Sequence, residues 1–343
     1  MKSITLLLAL TVFSFQTIAQ ELLAQAKSGD NWGYINTKGE FVIDAQYKNC
    51  HAFSEGFAPI YDKKAKTFYF IRPDGSKLAT DIEKFKLKNI FGFGTRGFTS
   101  GKAAVQVGKQ WGYMKSDGTM LVDAKYEKAN PFDGKTATAK LGSKWVIVDA
   151  NGTETEIAAK GVEDVRKFTE ELAPIKIAGK WGFVSQSGTM KIDAQYKSVG
   201  YFSDGLAWVK DESGLIGFID KAGAIKIKMQ FTGAKDFTEG MARVKQGESW
   251  TFVTTSGEVV NPEAADTYGK YSNGLAYAKK DGVVGFIDKS GKWVIKPQFE
   301  KVRAFKNGYS AVRSGEKWGF IDKKGNWVIE AKFDALKDFE KTN

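Results

Sequence analysis

The chain has 343 residues, a formal charge of +11, one cysteine (Cys50) and one histidine (His51). A single cysteine excludes a fold held by intrachain disulfides, and a zinc site, which wants three or four clustered His, Cys or carboxylate ligands, would find only one sulfur and one imidazole here. The basic balance favours acidic partners by long-range attraction, but stretches such as Asp81 to Lys88 (DIEKFKLK) mix signs, which describes a solvated Lys-rich surface and no specific nucleic acid.

The N-terminus reads MKSITLLLALTVFSFQTIAQ, with one Lys, an apolar run from Ile4 to Phe15, and small residues at Thr17 and Ala19. This pattern predicts a secretory signal peptide over residues 1–19. The run is shorter than the roughly 20 residues a membrane helix needs, and no Cys follows it where a lipid would be attached. The mature chain, residues 20–343, is expected to be a monomer in the periplasm or outside the cell, with no transmembrane segment.

Beyond the leader the sequence repeats. Taking Trp318 of KWGFIDKKGNWVI as reference, the same slot holds Trp32, Phe68, Trp111, Trp145, Trp181, Ile216, Trp250, Val284 and Trp318, in steps of 34 to 36 residues with one of 43. Seven residues later every copy has Gly, from Gly39 to Gly325, often preceded by Asp as at Asp149, Asp220, Asp288 and Asp322. Gly tolerates positive φ, so this is a hairpin turn between two strands rich in β-branched and aromatic residues. An aromatic recurs at one fixed distance past the reference slot (Phe53, Phe132, Phe202, Phe237, Tyr271, Phe305, Phe339), and a small residue follows five later, in segments such as GLAWVK and GLAYAK that read as a third strand. The long step marks an insertion around residues 76–97, with room for a helical turn near Asp81 to Lys88.

Trp-Gly with an aromatic and Ile or Val, then Gly, then Phe-x-x-Gly-x-Ala, resembles the WG-repeat (KWG-repeat) family of bacterial proteins over nearly all of residues 22–340. Trp145 and Trp250 lack the following Gly, Ile216 and Val284 replace the Trp, and Phe68-Tyr69 replaces both residues. The resemblance implies a β-rich repeat module without a defined chemistry.

The fold class predicted is all-β: a tandem array of about nine three-stranded antiparallel meanders. Because the chain starts on LLAQAK and ends after WVIEAKF and DALKDF, with no unit visibly split between its ends, an open, curved or superhelical array is expected, the alternative being a β-propeller. Trp318, and Trp327 nine residues on, fall in slots that accept large apolar groups of several shapes and are read as repeat core.

Catalytic signals are thin. Cys50 and His51 are neighbours on an extended strand, where successive side chains point apart. The turn segments DKKG, DKSG and DKAG carry one acid each, too few for a calcium loop. The Gly-rich IFGFGTRGF, Ile90 to Phe98, lacks the Lys-Ser/Thr ending of a phosphate loop. No catalytic residue, metal site or cofactor is assigned, and no enzyme activity is expected. The rival readings are an envelope-glycan-acting enzyme using surface carboxylates, and a purely structural array.

Binding is the stronger expectation, because repeat arrays vary a surface over a fixed core. The slot after the small residue of the third strand holds Pro59, Ala104, Thr138, Pro174, Trp208, Arg243, Tyr277 and Ala311, and its variety suggests that it faces outward. Trp208, Arg243 and Tyr277 would then form a row suited to sugar stacking or to a peptide or anionic polymer. The partner expected is a protein or an anionic or glycan polymer of the cell envelope.

Overall fold

A computed structural model describes residues 21–87, 89–90, 94–95 and 97–343, so the expected leader lies outside it. The last repeat shows the plan. Strands Lys301–Val302, Ser310–Ser314, Lys317–Ile321 and Trp327–Phe333 are hydrogen-bonded in that order, each antiparallel to the next. Eight such four-stranded sheets occur among the described residues. In a ninth, the pair Ala58–Asp62 and Thr67–Ile71 is flanked by the single bridges Cys50↔Ile60 and Ile71↔Lys77. We number them blades 1 to 9 in chain order, starting from the sheet that contains Leu22–Ser28.

The unit therefore has four strands rather than three. The additional one is only two residues long in most blades, as at Ser198–Val199, too short to carry a periodic signal. The sequence unit is also out of phase with the sheet. Its Trp opens the third strand of one blade, and its last segment is the second strand of the next.

That offset decides how the chain ends meet. Blade 1 combines Leu22–Ser28, Asn31–Ile35 and Phe41–Tyr47 with the C-terminal strand Ala335–Lys341, whose Lys341 pairs with Leu22 and Phe339 with Ala24. The Thr342 amide donates to the Glu21 carbonyl at 3.1 Å. The buried residues form nine apolar clusters, one for each pair of successive blades, where nine blades in a row would have only eight. The ninth packs Ala24, Ala26 and Ile35 of blade 1 against Ala311, Phe320 and Ile329 of blade 9. The all-β tandem array is as expected, but it is a closed ring, the propeller alternative, and one blade is split between the termini.

The Trp-Gly signature has a local cause. In blade 5 the partner of Trp181 is Tyr196 while that of Phe183 is Ile192, so the fourth strand bulges opposite Gly182. A Cβ on Gly182 would sit 2.4 Å from the Ile192 carbonyl oxygen, closer than any side chain allows. Gly33, Gly112, Gly217, Gly285 and Gly319 face bulges of the same kind in seven-residue fourth strands. Where Tyr69, Val146 or Thr251 replaces the Gly, the fourth strand is the single bridge at Lys77, the three-residue Glu154–Glu156 or the two-residue Val259–Val260.

Between blades the recurring contact is aromatic. Tyr34 meets Phe53, Tyr113 meets Phe132, Phe183 meets Phe202, Phe218 meets Phe237, Phe252 meets Tyr271, Phe286 meets Phe305 and Phe320 meets Phe339, with ring centroids 4.2 to 4.9 Å apart. Against the small residue of the second strand, such as Ala207 or Ala276, these pairs fill the interface. The insertion after blade 2 supplies Phe98, which packs on Phe70 at 4.7 Å; Asp81 to Phe85 make bends rather than a helical turn. The tryptophans divide: Trp145 and Trp181 are buried in the core clusters, the others lie at their edges or beyond. Trp318 and Trp327 are half-buried at cluster edges, Trp250 is 37% exposed, and Ile225 in the slot of Trp327 is 56% exposed.

One face of the ring carries a belt of turn-to-turn bonds. The Glu55 carboxylate accepts from the amides of Ser100 (2.6 Å) and Gly101 (2.7 Å), Asp204 from Gly240 (2.7 Å), and Glu239 from Asn273 (2.6 Å) and Gly274 (2.7 Å). Each acid sits in the tight turn before a second strand, at positive φ as at Glu55 (50°), and reaches the equivalent turn of the following blade.

Two substitutions test this account by urea denaturation. Phe339→Ala removes the aromatic pair that closes the ring and should cost about 3–5 kcal/mol, as for other buried Phe truncations. Gly182→Ala should cost about 1–3 kcal/mol through overpacking; an unchanged midpoint would sink the close-approach explanation of the Trp-Gly motif.

Candidate binding site

The first strands of successive blades form the inner edge of the ring, and their side chains bridge blade to blade. Asn130 Nδ2 donates to the Val165 carbonyl (3.1 Å), Arg166 Nη1 to that of Val199 (2.9 Å), and the Tyr201 amide to Asp236 Oδ1 (3.0 Å). Arg303 grips Asp338 with two bonds of 2.5 and 2.9 Å.

The side chain two residues before the recurring aromatic also varies from blade to blade, and is more basic than the slot the sequence singled out: His51, Asn130, Arg166, Gly200, Lys235, Gly269, Arg303, Lys337. With Lys167, Lys270, Asp236 and Asp338 in the next position, these two slots hold six cations against two acids. Counting from the aromatic rather than from the Trp would have found them.

Where blades 8, 9, 1 and 2 meet, the inner edge opens into a cavity of about 650 Å³. Its charged lining is Lys270, Arg303, Lys306, Lys337, Asp338 and Glu340; Trp32, Phe305 and Ala304 supply apolar wall. Lys306 pairs with Glu340 at 2.6 Å. Burial first, and Arg303 second, lower the pKa of Lys337, while burial raises that of Glu340.

Cys50 and His51 border the same cavity. The Cys50 thiol is buried among Tyr34, Phe53 and Ile60, accepts from Gln25 Nε2 at 3.6 Å, and has a pKa pushed up to about 11 by burial. His51 is held down to about 4, by burial and then by Lys337. At neutral pH the pair is a neutral thiol beside a neutral imidazole, poised neither as nucleophile nor as general base.

The turn aspartates are committed to the backbone. Asp149 Oδ1 accepts from Asn151 and Thr153, Asp220 from Ala222 and Ala224, and Asp322 from Lys324 and Asn326, all at 2.8 or 2.9 Å. In the Gly-rich stretch, Phe91, Gly92, Phe93 and Arg96 lie outside the described residues.

Trp208, Arg243 and Tyr277 do occupy equivalent positions in blades 6, 7 and 8, but they do not face outward. Each blade is covered on both faces by its neighbours, so this slot looks across an interface. Gln25 Nε2 donates to the Cys50 carbonyl (2.7 Å), Thr138 Oγ1 to that of Arg166 (2.9 Å), and Arg243 Nη1 to that of Tyr268, each acceptor lying on the next blade's inner edge. A Cβ on Gly200 or Gly269 would strike Trp208 or Tyr277 at 2.2 Å, so both rings lie against the inner strand of their own blade. All three are half-buried, and Arg243 Nε has no hydrogen-bond partner among the described residues.

The family described as "WG containing repeat" matches residues 32–63, 111–145, 181–213, 216–250, 285–318 and 318–341, which begin in the six blades with a bulged fourth strand. No curated protein matches the chain. Among solved structures, a eukaryotic initiation factor is 9% identical, with 94% of this chain and 99% of that one covered, at a TM-score of 0.62. Apo AztD from Citrobacter koseri is 11% identical over 93% of this chain and 97% of its own, at a TM-score of 0.45. The computationally designed Ika8 protein is 12% identical over 91% and 100%, at 0.44. At these identities the first likeness concerns the fold alone.

The depressed pKa of His51 predicts a pH effect. An unfolded imidazole titrates near 6.5, so the folded chain binds fewer protons between that value and about 4. The associated stability is present above pH 6.5 and is lost as the pH falls through this window. Between pH 7 and 4.5 the protein should lose about 2 kcal/mol more than its His51→Asn variant in chemical denaturation; parallel curves would contradict the burial of this imidazole.

Proposed function

The chain belongs to the WG-containing repeat family, and on that premise we propose that it is an exported, non-catalytic binding module for a protein or an anionic or glycan polymer of the cell envelope. One observation carries this reading: the closed ring gathers variable, predominantly basic side chains onto its inner edge, with the aromatic and Arg row of Trp208, Arg243 and Tyr277 directly behind it. Cations beside aromatic faces suit sugars bearing acidic groups and acidic peptides.

Other features agree with a non-catalytic role. The turn carboxylates are saturated by backbone amides, the inner-edge acids Asp338 and Glu340 are paired with Arg303 and Lys306, and the Cys–His pair is uncharged. Among the described residues no helix is long and apolar enough to cross a membrane. Export rests on the pattern of residues 1–19.

Mass spectrometry of the protein recovered from the producing cells should find Gln20 as the first residue, and an intact Met1 would refute export by this leader. A pull-down from the cell envelope at low and high salt should capture a partner, released by salt where the basic edge dominates. Trp208→Ala, Arg243→Ala and Tyr277→Ala together, with folding verified by circular dichroism, should weaken capture at least about tenfold, or about 1.4 kcal/mol; full capture would remove the row from the site.

A further inference from the structure

We propose that the cavity where blades 8, 9, 1 and 2 meet binds a phosphate monoester, with Lys337 and Lys270 holding the phosphate beside Arg303. The proposal rests on the reading of the ring as a non-catalytic binding module and supplies a ligand class for one part of its inner edge.

The argument begins with charge. Of the four cations lining the cavity, Arg303 and Lys306 are engaged by Asp338 and Glu340. Lys270 and Lys337 form no ion pair among the described residues; the Trp32 ring lies 6.0 Å from the Lys337 ammonium, and Asp338 attracts it at longer range than an ion pair. Four cations against two carboxylates leave a local excess of two positive charges around a cavity that is partly open to solvent, with Lys270 on its exposed side. A phosphate monoester carries about −1.5 to −2 at neutral pH, which matches that excess better than a single carboxylate would. Lysine ammoniums are compact point charges with three donors each and suit phosphate oxygens approached from several directions.

Geometry agrees. The unpaired cations come from two inner strands on either side of that of Arg303, Thr267–Ser272 of blade 8 and Ala335–Lys341 of blade 1, so an anion between them is held by three blades at once. Ser272 and Asn49 add polar groups at the wall, while Trp32 and Ala304 offer a surface for the organic part of the ester. The pKa of Lys337 is lowered because burial, and then Arg303, outweigh the opposing pull of Asp338.

The chain supplies its own reporter, because its one histidine borders this cavity. Proton NMR of the tag-free full-length mature protein gives a single imidazole signal, and phosphorus NMR follows the ligand. Titration with glucose 1-phosphate should shift the His51 resonance saturably and raise its pKa, with glucose as a silent control. Inorganic phosphate should produce the same shift if the phosphate group alone is recognised, and a weaker one if the ester's organic part contributes. Lys337→Gln and Lys270→Gln, each kept at the surface of the cavity and checked for an unchanged urea midpoint, should each weaken binding about tenfold. Absence of a saturable shift with either phosphate compound, or an affinity in both variants equal to that of the unsubstituted protein, overturns the proposal. The envelope pull-down above separates this failure from that of the binding-module reading, since a partner can still be captured. Conversely, phosphorus NMR showing the ester cleaved would keep the site and overturn the non-catalytic reading.

Discussion

The contact on which the ring depends is the packing of a large apolar side chain of each blade's third strand on the aromatic that enters the next, an aromatic pair at every seam but that of blades 4 and 5, where Ile147 and Phe168 share the cluster. In Phe183–Phe202, Phe218–Phe237 and Phe286–Phe305 the first ring stands on the third strand of one blade and the second at the turn entering its neighbour, so each pair binds two blades. Such pairs contribute about 0.5–1.5 kcal/mol beyond the area they bury. Their larger consequence is geometric. An aromatic contact of nearly constant length, with a small residue opposite it, sets the spacing between neighbours, and at the seam of the termini Phe339 stacks on Phe320 at 4.2 Å instead of meeting it edge-on. Closure follows from the repeat, and the terminal strand needs only to complete the sheet it meets.

The Trp-Gly signature answers a different need. Its Gly makes room for the bulge of the outermost strand, and its Trp covers the rim, half-buried at Trp318 and Trp111. Blades 2, 4 and 7, which lack the Gly, keep the aromatic or aliphatic interface and lose only the long outer strand. The interface therefore carries the architecture, and the motif that names the family reports the finish of each blade's outer edge.

Much of this was legible in the sequence. The reference slot, the turn Gly and the Phe-to-Ala spacing placed nine units and two of their hairpins correctly, because each reflects a local steric demand that recurs in every copy. Two things were not legible. Periodicity yields spacing but not phase: a two-residue strand such as Lys301–Val302 leaves no pattern, so the terminal segment ALKDFEK read as the end of the last unit rather than as the first strand of blade 1. Alternation along a strand also identifies an outer face only when one face is solvated. Here both faces are covered, which is why Arg243 and Trp208, apparently outward, reach across to a neighbouring blade.

The same geometry determines where binding can evolve. A sheet covered on both faces keeps its free surface at its inner edge, its outer edge and its two ends. The outer edge is fixed by the bulge, and one end is tied by turn-to-turn bonds such as those of Glu55 and Glu239. The inner edge has the fewest constraints, since a strand two residues long needs a buried residue such as Ala129 or Val199 but leaves the positions beside it open. Those positions range from Gly200 to Arg303 within one ring. Functional variation in such a chain is therefore read around the axis, by comparing equivalent first-strand residues of successive blades, and only secondarily along any single strand.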